Sequence, residues 1–502
     1  MKVTRAVVGG ITAGALLATS LSSPVQADNG TNSAALRAAV GVAGMTNHLN
    51  AFQAIANSNG GTRAAGTAGY DASVAYVQGQ LTAAGYAVTV QPFSYDKFIE
   101  NTPATLSRTS PSPTTDYVYG ADFFTMDYSG SGETTAAVTP VDLLLPPTGG
   151  STSGCEASDF AGFPPGNIAL LQRGTCTFRV KVDNAAAAGA NGVIIFNEGN
   201  APDRVDLFGG TLSPPLAPIP VVSASFARGQ EWATTAGLTL HLTTDTAAAT
   251  ITTNNVLADT PGGRADRMVV VGAHLDSVAE GSGINDNGSG SAAILEIARK
   301  LAGTNVRNKV RFAFWGGEED GLIGSTHYVN QLSKTDIKRH AANLNFDMLA
   351  SPNFVRFVYD GDGSASTVGP NGSDVIERVF NQYFAGQGLA TEPTAFDGRS
   401  DYGPFIAAGI PAGGLFSGAE DLKTATEAAI YGGTAGAPHD PCYHLACDTI
   451  TNINATSLEQ LADGAAHAVL TLAMTTSAVN GTGQGNGKGV SDLEYVGPLA
   501  RR

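Results

Sequence analysis

Two carboxylates stand side by side at the end of an apolar run in WGGEEDGLIGS, where Glu318 and Glu319 occupy adjacent positions. Adjacent carboxylates repel and resist burial, so the pair is either a solvated turn or two groups with separate jobs, since strand neighbours face opposite sides. Other segments offer partners for the second reading. AHLDS carries His274 and Asp276, GINDNGSGS carries Asp286, LNFDM carries Asp347 and CYHLACD carries His444. Each has a plain reading alone: a hydrogen-bonded loop histidine, a turn aspartate, a helix cap. Together they suit two divalent ions, because imidazole and carboxylate oxygen are good zinc ligands. One ion takes His274 and Asp347, the other takes Glu319 and His444, and Asp286 bridges, as hydrolysis at a two-metal site requires. Asp276 then accepts a hydrogen bond from the free ring nitrogen of His274. Glu318 is left beside a ligand, able to take a proton from water and return it to a leaving amine.

Such residues need a frame. From about residue 254 the chain alternates strand and helix patterns: RMVVVGAH, then SGSAAILEIARKLAG, then KVRFAFWGG, AANLNFDML, the helical SDVIERVFNQYFAGQG and GIPAGGLFSG. That alternation predicts an α/β fold with a mostly parallel central sheet and helices on both faces. Ligands of open α/β sheets bind outside the carboxyl ends of the strands, where the His and carboxylate positions fall. Residues 41–95 begin with helical spacing at Val74, Val77, Leu81 and Ala84, end that helix at Gly85, and alternate as a strand in AVTVQPF. Between about 115 and 245 short β-like runs, GNIALLQRG, NGVIIFNEG and IPVVSAS, surround the Ala-rich KVDNAAAAGA, as in a β-rich module inserted into the first domain.

The chain of 502 residues is 43% hydrophobic, enough for a sizeable core, and its net charge of −16 argues against nucleic-acid binding. Lys2 and Arg5, a short apolar run and VQA ending at Ala27 read as a signal peptide over 1–27. No later apolar stretch is long enough to span a membrane. Export permits disulfides among Cys155, Cys176, Cys442 and Cys447; the close pairs Cys155–Cys176 and Cys442–Cys447 are economical, and a four-thiolate zinc site, which lacks C-x-x-C spacing, is the competing reading. Residues 28–40 read as a propeptide or flexible start, 41–114 and 246–478 as the catalytic domain, 115–245 as the insert, and the Gly/Asn-rich 479–502 as a flexible tail.

AHLDS, GINDNGSGSAA, WGGEEDGLIGS, LNFDM, DGRSDYGPF, GGLFSGA and CYHLACD resemble, in order, the motifs of secreted bacterial zinc aminopeptidases of metallopeptidase family 28, actinobacterial leucine aminopeptidases above all. The resemblance covers roughly residues 45–110 and 250–475 and implies a zinc-peptidase, phosphorylase/hydrolase-like fold. It implies two zinc ions on His274, Asp286, Glu319, Asp347 and His444, with Glu318 as general base. It further implies that Tyr443 steadies the oxyanion, that Arg399 lines the substrate site, that Phe416 walls an apolar pocket, and that the Asp286–Asn287 peptide is cis. From the residues alone, Tyr443 reads as a packed loop tyrosine, Arg399 as a surface arginine and Phe416 as core. The insert, GNIALLQRGTCTFRVKVDNAAAAGANGVIIFNEG above all, resembles a protease-associated domain, which the shortest actinobacterial enzymes lack. Some relatives bind calcium between an N-terminal aspartate and acids of the helix after the disulfide loop. Here Glu459 and Asp463 fall in that helix, but the N-terminal position lies near Ala39, so calcium is not expected and these acids read as solvated.

The reading is an exported, monomeric metalloaminopeptidase that removes large apolar N-terminal residues (Leu, Phe, Met) from peptides with a free amine, without nucleic-acid or membrane partners. Three alternatives share the fold. A carboxypeptidase or dipeptidase differs at the substrate terminus, a glutaminyl cyclase uses one zinc, and a non-catalytic binding protein loses ligands or the base, all of which are present here.

Overall fold

The computed structural model describes residues 31–201 and 204–481, so the leader and most of the expected tail lie outside the described residues. The centre is a mixed sheet. Strands Ala412–Phe416, His340–Asp347, Arg264–His274 and Asn308–Trp315 lie side by side in that order and run parallel. Short Phe357–Tyr359 flanks Ala412–Phe416 on one side, with Glu392–Thr394 parallel beyond it, and the long Thr239–Asp259 flanks Asn308–Trp315 on the other, both flanking strands antiparallel to the central four. Parallel strands covered on both faces run through the interior, and every residue of His340–Asp347 is buried, its polar His340, Asn343, Asn345 and Asp347 included. Helix Gly288–Leu301 sits among the core elements, with Ile294, Leu295, Ile297 and Ala298 fully buried beside Val269, Val271, Phe312 and Phe346. The short helix Ala34–Ala39 packs on helix Ala455–Met474, with Leu36 and Val40 buried and Ser33 Oγ 2.9 Å from His467 Nδ1. The start expected to be loose is therefore docked from residue 33 onward. At the other end, Val479 is buried and Arg267 donates to the Gly481 carbonyl, so the expected tail is anchored through its first residues.

The antiparallel pair Ala87–Ser110 and Thr239–Asp259 forms a ribbon between the catalytic domain and the insert. Only AVTVQPF was legible as strand; the pairing continues through polar residues to Ser110. The insert has its own apolar clusters, around Ile195, Val193 and Val182 on one side and Ile194, Phe196 and Trp232 on the other. Its strands Gly132–Pro140, Ile168–Gln172, Gly192–Phe196 and Val221–Ala224 run parallel in that order, with helices Phe178–Ala187 and Phe226–Thr234. Cys155–Cys176 closes within the insert and Cys442–Cys447 around His444.

A buried polar relay ties the sheet together at the start of His340–Asp347. Arg311 holds both carboxylate oxygens of Asp259 at 2.6 and 2.7 Å and donates to the Tyr328 hydroxyl. Tyr328 donates to His340 Nε2 at 2.6 Å, and His340 Nδ1 donates to the Asp336 carbonyl at 2.7 Å. Burial pushes His340 down to about 4. The unfolded chain binds this proton more readily, so the stability His340 contributes is present above pH 6.5 and is lost as pH falls toward 4. The unfolding free energy of the His340→Gln variant should therefore fall less steeply across that window, by about 1.4 kcal/mol per pH unit, in urea titrations at pH 7, 6 and 5.

Candidate metal centre

Strand Arg264–His274 ends on His274, Asn308–Trp315 runs into the turn bearing Glu318 and Glu319, and His340–Asp347 ends on Asp347. Asp286 precedes helix Gly288–Leu301, and His444 comes from the loop closed by Cys442–Cys447. All five expected donors meet. His274 Nε2 lies 3.2 Å from Asp286 Oδ1 and 3.2 Å from Asp347 Oδ1. His444 Nε2 lies 3.2 Å from Asp286 Oδ2 and 3.0 Å from Glu319 Oε2. The two Asp286 oxygens thus face different imidazoles. These separations approach the edge of a zinc tetrahedron, about 3.3 Å for ligands about 2.0–2.1 Å from the metal. His274 Nδ1 faces the Asp276 carbonyl at 3.2 Å, which assigns its proton there and leaves Nε2 as a donor atom. The donor set fits zinc.

The electrostatics ask for positive charge. Burial opposes protonating His274, yet the carboxylates of Asp347 and Glu318 hold its pKa well above the ordinary value. Burial likewise opposes the charge on His444, and Glu319 and Asp286 outweigh it, raising it to about 10. Burial works against ionised Asp286, but hydrogen bonds from the two imidazoles hold its carboxyl below the usual range. Glu318 is different: burial, reinforced by Asp401, Asp347 and Glu319, lifts it well above the ordinary carboxylate value despite His274. Its Oε2 is 3.9 Å from His274 Nε2.

The neighbouring glutamates are separated by a turn that Asp276 holds. The sequence suggested a carboxylate–imidazole bond, but the strand ends at His274 and the Asp276 oxygen lies 3.9 Å from Nδ1, beyond hydrogen-bond range. Its two oxygens instead accept the N–H groups of Glu318 and Glu319 at 3.3 and 3.4 Å. Gly317, at φ 70°, supplies the left-handed residue that starts the turn. Asp286–Asn287 is cis, as the family resemblance implied.

Tyr443 stacks on His444 with ring centroids 3.8 Å apart, and its hydroxyl accepts from Arg399 Nη2 at 3.4 Å. The same nitrogen donates to Glu420 at 2.9 Å, so Arg399 is paired rather than solvated. Burial keeps the Tyr443 phenol well above its ordinary pKa, against the pull of Arg399. Half-buried Phe416 closes its strand opposite Asp347 and stacks on Phe357 at 5.9 Å. Glu459 is exposed, as expected, but Asp463 is partly buried and lies 3.6 Å from Arg37, so it is not a solvated acid.

Several positioning groups escaped the sequence because most of them act on backbone atoms. Asp448 accepts the N–H groups of Asn285 and Asp286 at 2.8 and 2.9 Å, and Asp440 accepts from the Asn285 side chain at 2.6 Å. These bonds tie the loop of His444 to the segment of Asp286. Buried Arg63 donates to the carbonyls of Leu275, Ser282 and Gly283, closing the loop between His274 and Asp286. Asn287 Oδ1 accepts from Gly290 and Met348, joining the helix start to the end of the strand of Asp347. Ser400 donates to the Asp347 oxygen turned away from His274.

A parallel-centred sheet with this donor set at its carboxyl edge is the framework of a zinc-dependent peptidase. The chain matches the family model of peptidase family M28 over residues 255–469 and that of the PA domain over residues 136–232. It is 51% identical over 434 residues to an aminopeptidase of Pseudomonas aeruginosa, covering 86% of this chain and 81% of the relative. A probable leucine aminopeptidase 2 of Aspergillus fumigatus is 41% identical over 364 residues, 71% and 70% of the respective chains. The structure of a zinc aminopeptidase from Bacillus subtilis superposes with a TM-score of 0.56 at 26% identity, covering 86% of this chain and 94% of that one. The chain belongs to peptidase family M28 and is a zinc-dependent aminopeptidase carrying an inserted PA domain.

Removing the acceptor that fixes two ligand-bearing segments should loosen the metal. Asp448→Ala is expected to weaken zinc binding about 10–100-fold, read by competition with a chromophoric chelator.

Proposed function

We propose that the protein acts outside the cytoplasm, releasing large apolar residues from the N-termini of peptides, with two zinc ions per chain. His274, Asp286 and Asp347 would hold one ion; His444, Asp286 and Glu319 would hold the other. The observation that carries this reading is the placement of the two Asp286 oxygens against two imidazoles, each 3.2 Å away. Zinc, when bound, supplies a Lewis acid that polarises the scissile carbonyl and makes water nucleophilic at neutral pH.

The chain's own groups supply the rest. Glu318, turned from the ligand Glu319 and buried beside His274, takes the proton of the attacking water and returns it to the leaving amine. Arg399 donates to the Tyr443 oxygen, which leaves the phenol proton free for the oxyanion. Glu318 and Asp347 receive the substrate's ammonium group, with backbone carbonyls near Arg399. Phe416, stacked on Phe357, presents an aromatic wall to the first side chain. An apolar preference agrees with the leucine aminopeptidase name of the Aspergillus relative. Export is supported by the leader pattern and by two disulfides. Among the described residues no helix is long and apolar enough to cross a membrane.

Glu318→Gln should lower kcat about 10²–10⁴-fold while zinc content by elemental analysis stays at about two per chain; loss of zinc instead would make Glu318 a ligand. Leucine p-nitroanilide should be cleaved and its N-acetyl derivative should not. Equal turnover of the two would defeat the assignment to the substrate's amino end.

A further inference from the structure

The third acid of the GEED turn, Asp320, has no place in the chemistry above, yet it is anchored. Its carboxylate accepts a hydrogen bond from the Tyr95 hydroxyl and pairs with Lys97 Nζ at 2.9 Å. Tyr95 and Lys97 belong to strand Ala87–Ser110, the ribbon strand that leads into the PA domain. Phe93, two residues earlier on the same face, is buried and stacks on His327 at 5.0 Å, in helix Ile323–Asn330 just after the turn. Residues 93, 95 and 97 of one strand face thus clasp the segment that carries Glu318 and Glu319.

The opposite face of the same strand belongs to the insert. Phe98 packs against the PA-domain cluster and lies 5.7 Å from the Tyr128 ring. Glu100 accepts from the hydroxyls of Tyr119, at 2.7 Å, and Thr125. Tyr128 also donates to the Asp96 carbonyl between the two faces. Alternation along a strand sends odd and even residues to opposite sides, so a stretch of eight residues, 93–100, is gripped by the insert on one side and grips the catalytic turn on the other.

We propose that the PA domain positions the Glu318–Glu319 turn through this strand, with Asp320, Tyr95 and Lys97 as the positioning residues on the catalytic side. Asp276 holds the turn from the strand that ends at His274, by its two backbone N–H groups. Asp320 holds it from the insert's side, so the orientation of the general base depends on both. A merely adhesive contact between domains would set stability alone; a positioning contact sets kcat. The inference rests on Glu318 acting as the base.

The test uses the full-length zinc-loaded protein and leucine p-nitroanilide. Asp320→Asn and Lys97→Met should each lower kcat about tenfold, with KM within about twofold and zinc content unchanged. Lys97→Arg, which keeps the ion pair, should restore kcat to the wild-type value. Phe98→Ala, on the far face and touching nothing in the catalytic turn, should reproduce the loss. Tyr128→Phe, which removes one hydroxyl, serves if Phe98→Ala does not fold, with a smaller loss in the same direction. Wild-type kcat in Asp320→Asn and in the far-face variant, with only melting temperature lowered, overturns the proposal. Loss of zinc in Asp320→Asn would also overturn it, because the effect would then lie in metal retention. If Glu318→Gln retains turnover, the reading of the base fails instead, whatever the Asp320 variants do; if Glu318→Gln is inactive and Asp320→Asn is not, only the present inference falls.

Discussion

Six carboxylates, Asp276, Asp286, Glu318, Glu319, Asp347 and Asp401, are buried at one end of the sheet, and the repulsion among them is the constraint the surrounding structure answers. Taking one such group out of water is costly without a partner, and like charges raise the cost. Burial drives Asp276 up to about 7 and Asp401 up to about 8. The imidazoles of His274 and His444 relieve part of the excess and are held in their charged form by it. A divalent cation relieves more, and its binding displaces those protons. The same concentration of charge that makes the folded protein tense is therefore what suits this end of the sheet to a divalent cation.

The supporting residues divide the labour by atom type. Side chains with chemistry to perform face the centre, while most of those that hold them reach for backbone groups. Asp276 and Asp448 each span two successive N–H groups, Arg63 spans three carbonyls, and Asn287 bridges a helix start and a strand end. Fixing the backbone sets the directions from which the donor side chains approach, and the Asp276 carbonyl and Ser400 hold His274 and Asp347 further at side-chain atoms. It also explains how adjacent glutamates serve different ends: the turn is pinned at its amides, so the two side chains leave it in fixed and separate directions.

The parallel strands and the ligands at their ends were legible because burial on both faces writes continuous apolar runs and the open-sheet rule says where to look. The helical spacing of Val74, Val77 and Leu81 was legible for the same reason, all three being buried. Asp276 turns to the amides of Glu318 and Glu319 rather than to the imidazole because the strand stops at His274, so the strand geometry that would set both side chains on one face no longer applies. The ribbon beyond Phe93 was missed because two-stranded pairing needs no apolar alternation, and DKFIENTPATLSRTS has little. Helix Ala34–Ala39 offered only Leu36 and Val40 as a signal, too few for a period. Asp448 and Arg63 left no trace, since a partner for a backbone amide or carbonyl follows no spacing rule.

The loop around His444 has a further consequence, in the order of biosynthesis. His274, Asp286, Glu318, Glu319 and Asp347 come earlier in the chain; the second imidazole follows only after the last parallel strand, Ala412–Phe416. Its loop is then tied to Asn285 and Asp286 by Asp440 and Asp448, which are made in the same stretch. A chain that has reached the last parallel strand can thus hold most of the sheet and still lack one donor and the bonds that set Asp286. Chain order thus delivers His444 together with the two acceptors that fix the Asn285–Asp286 segment.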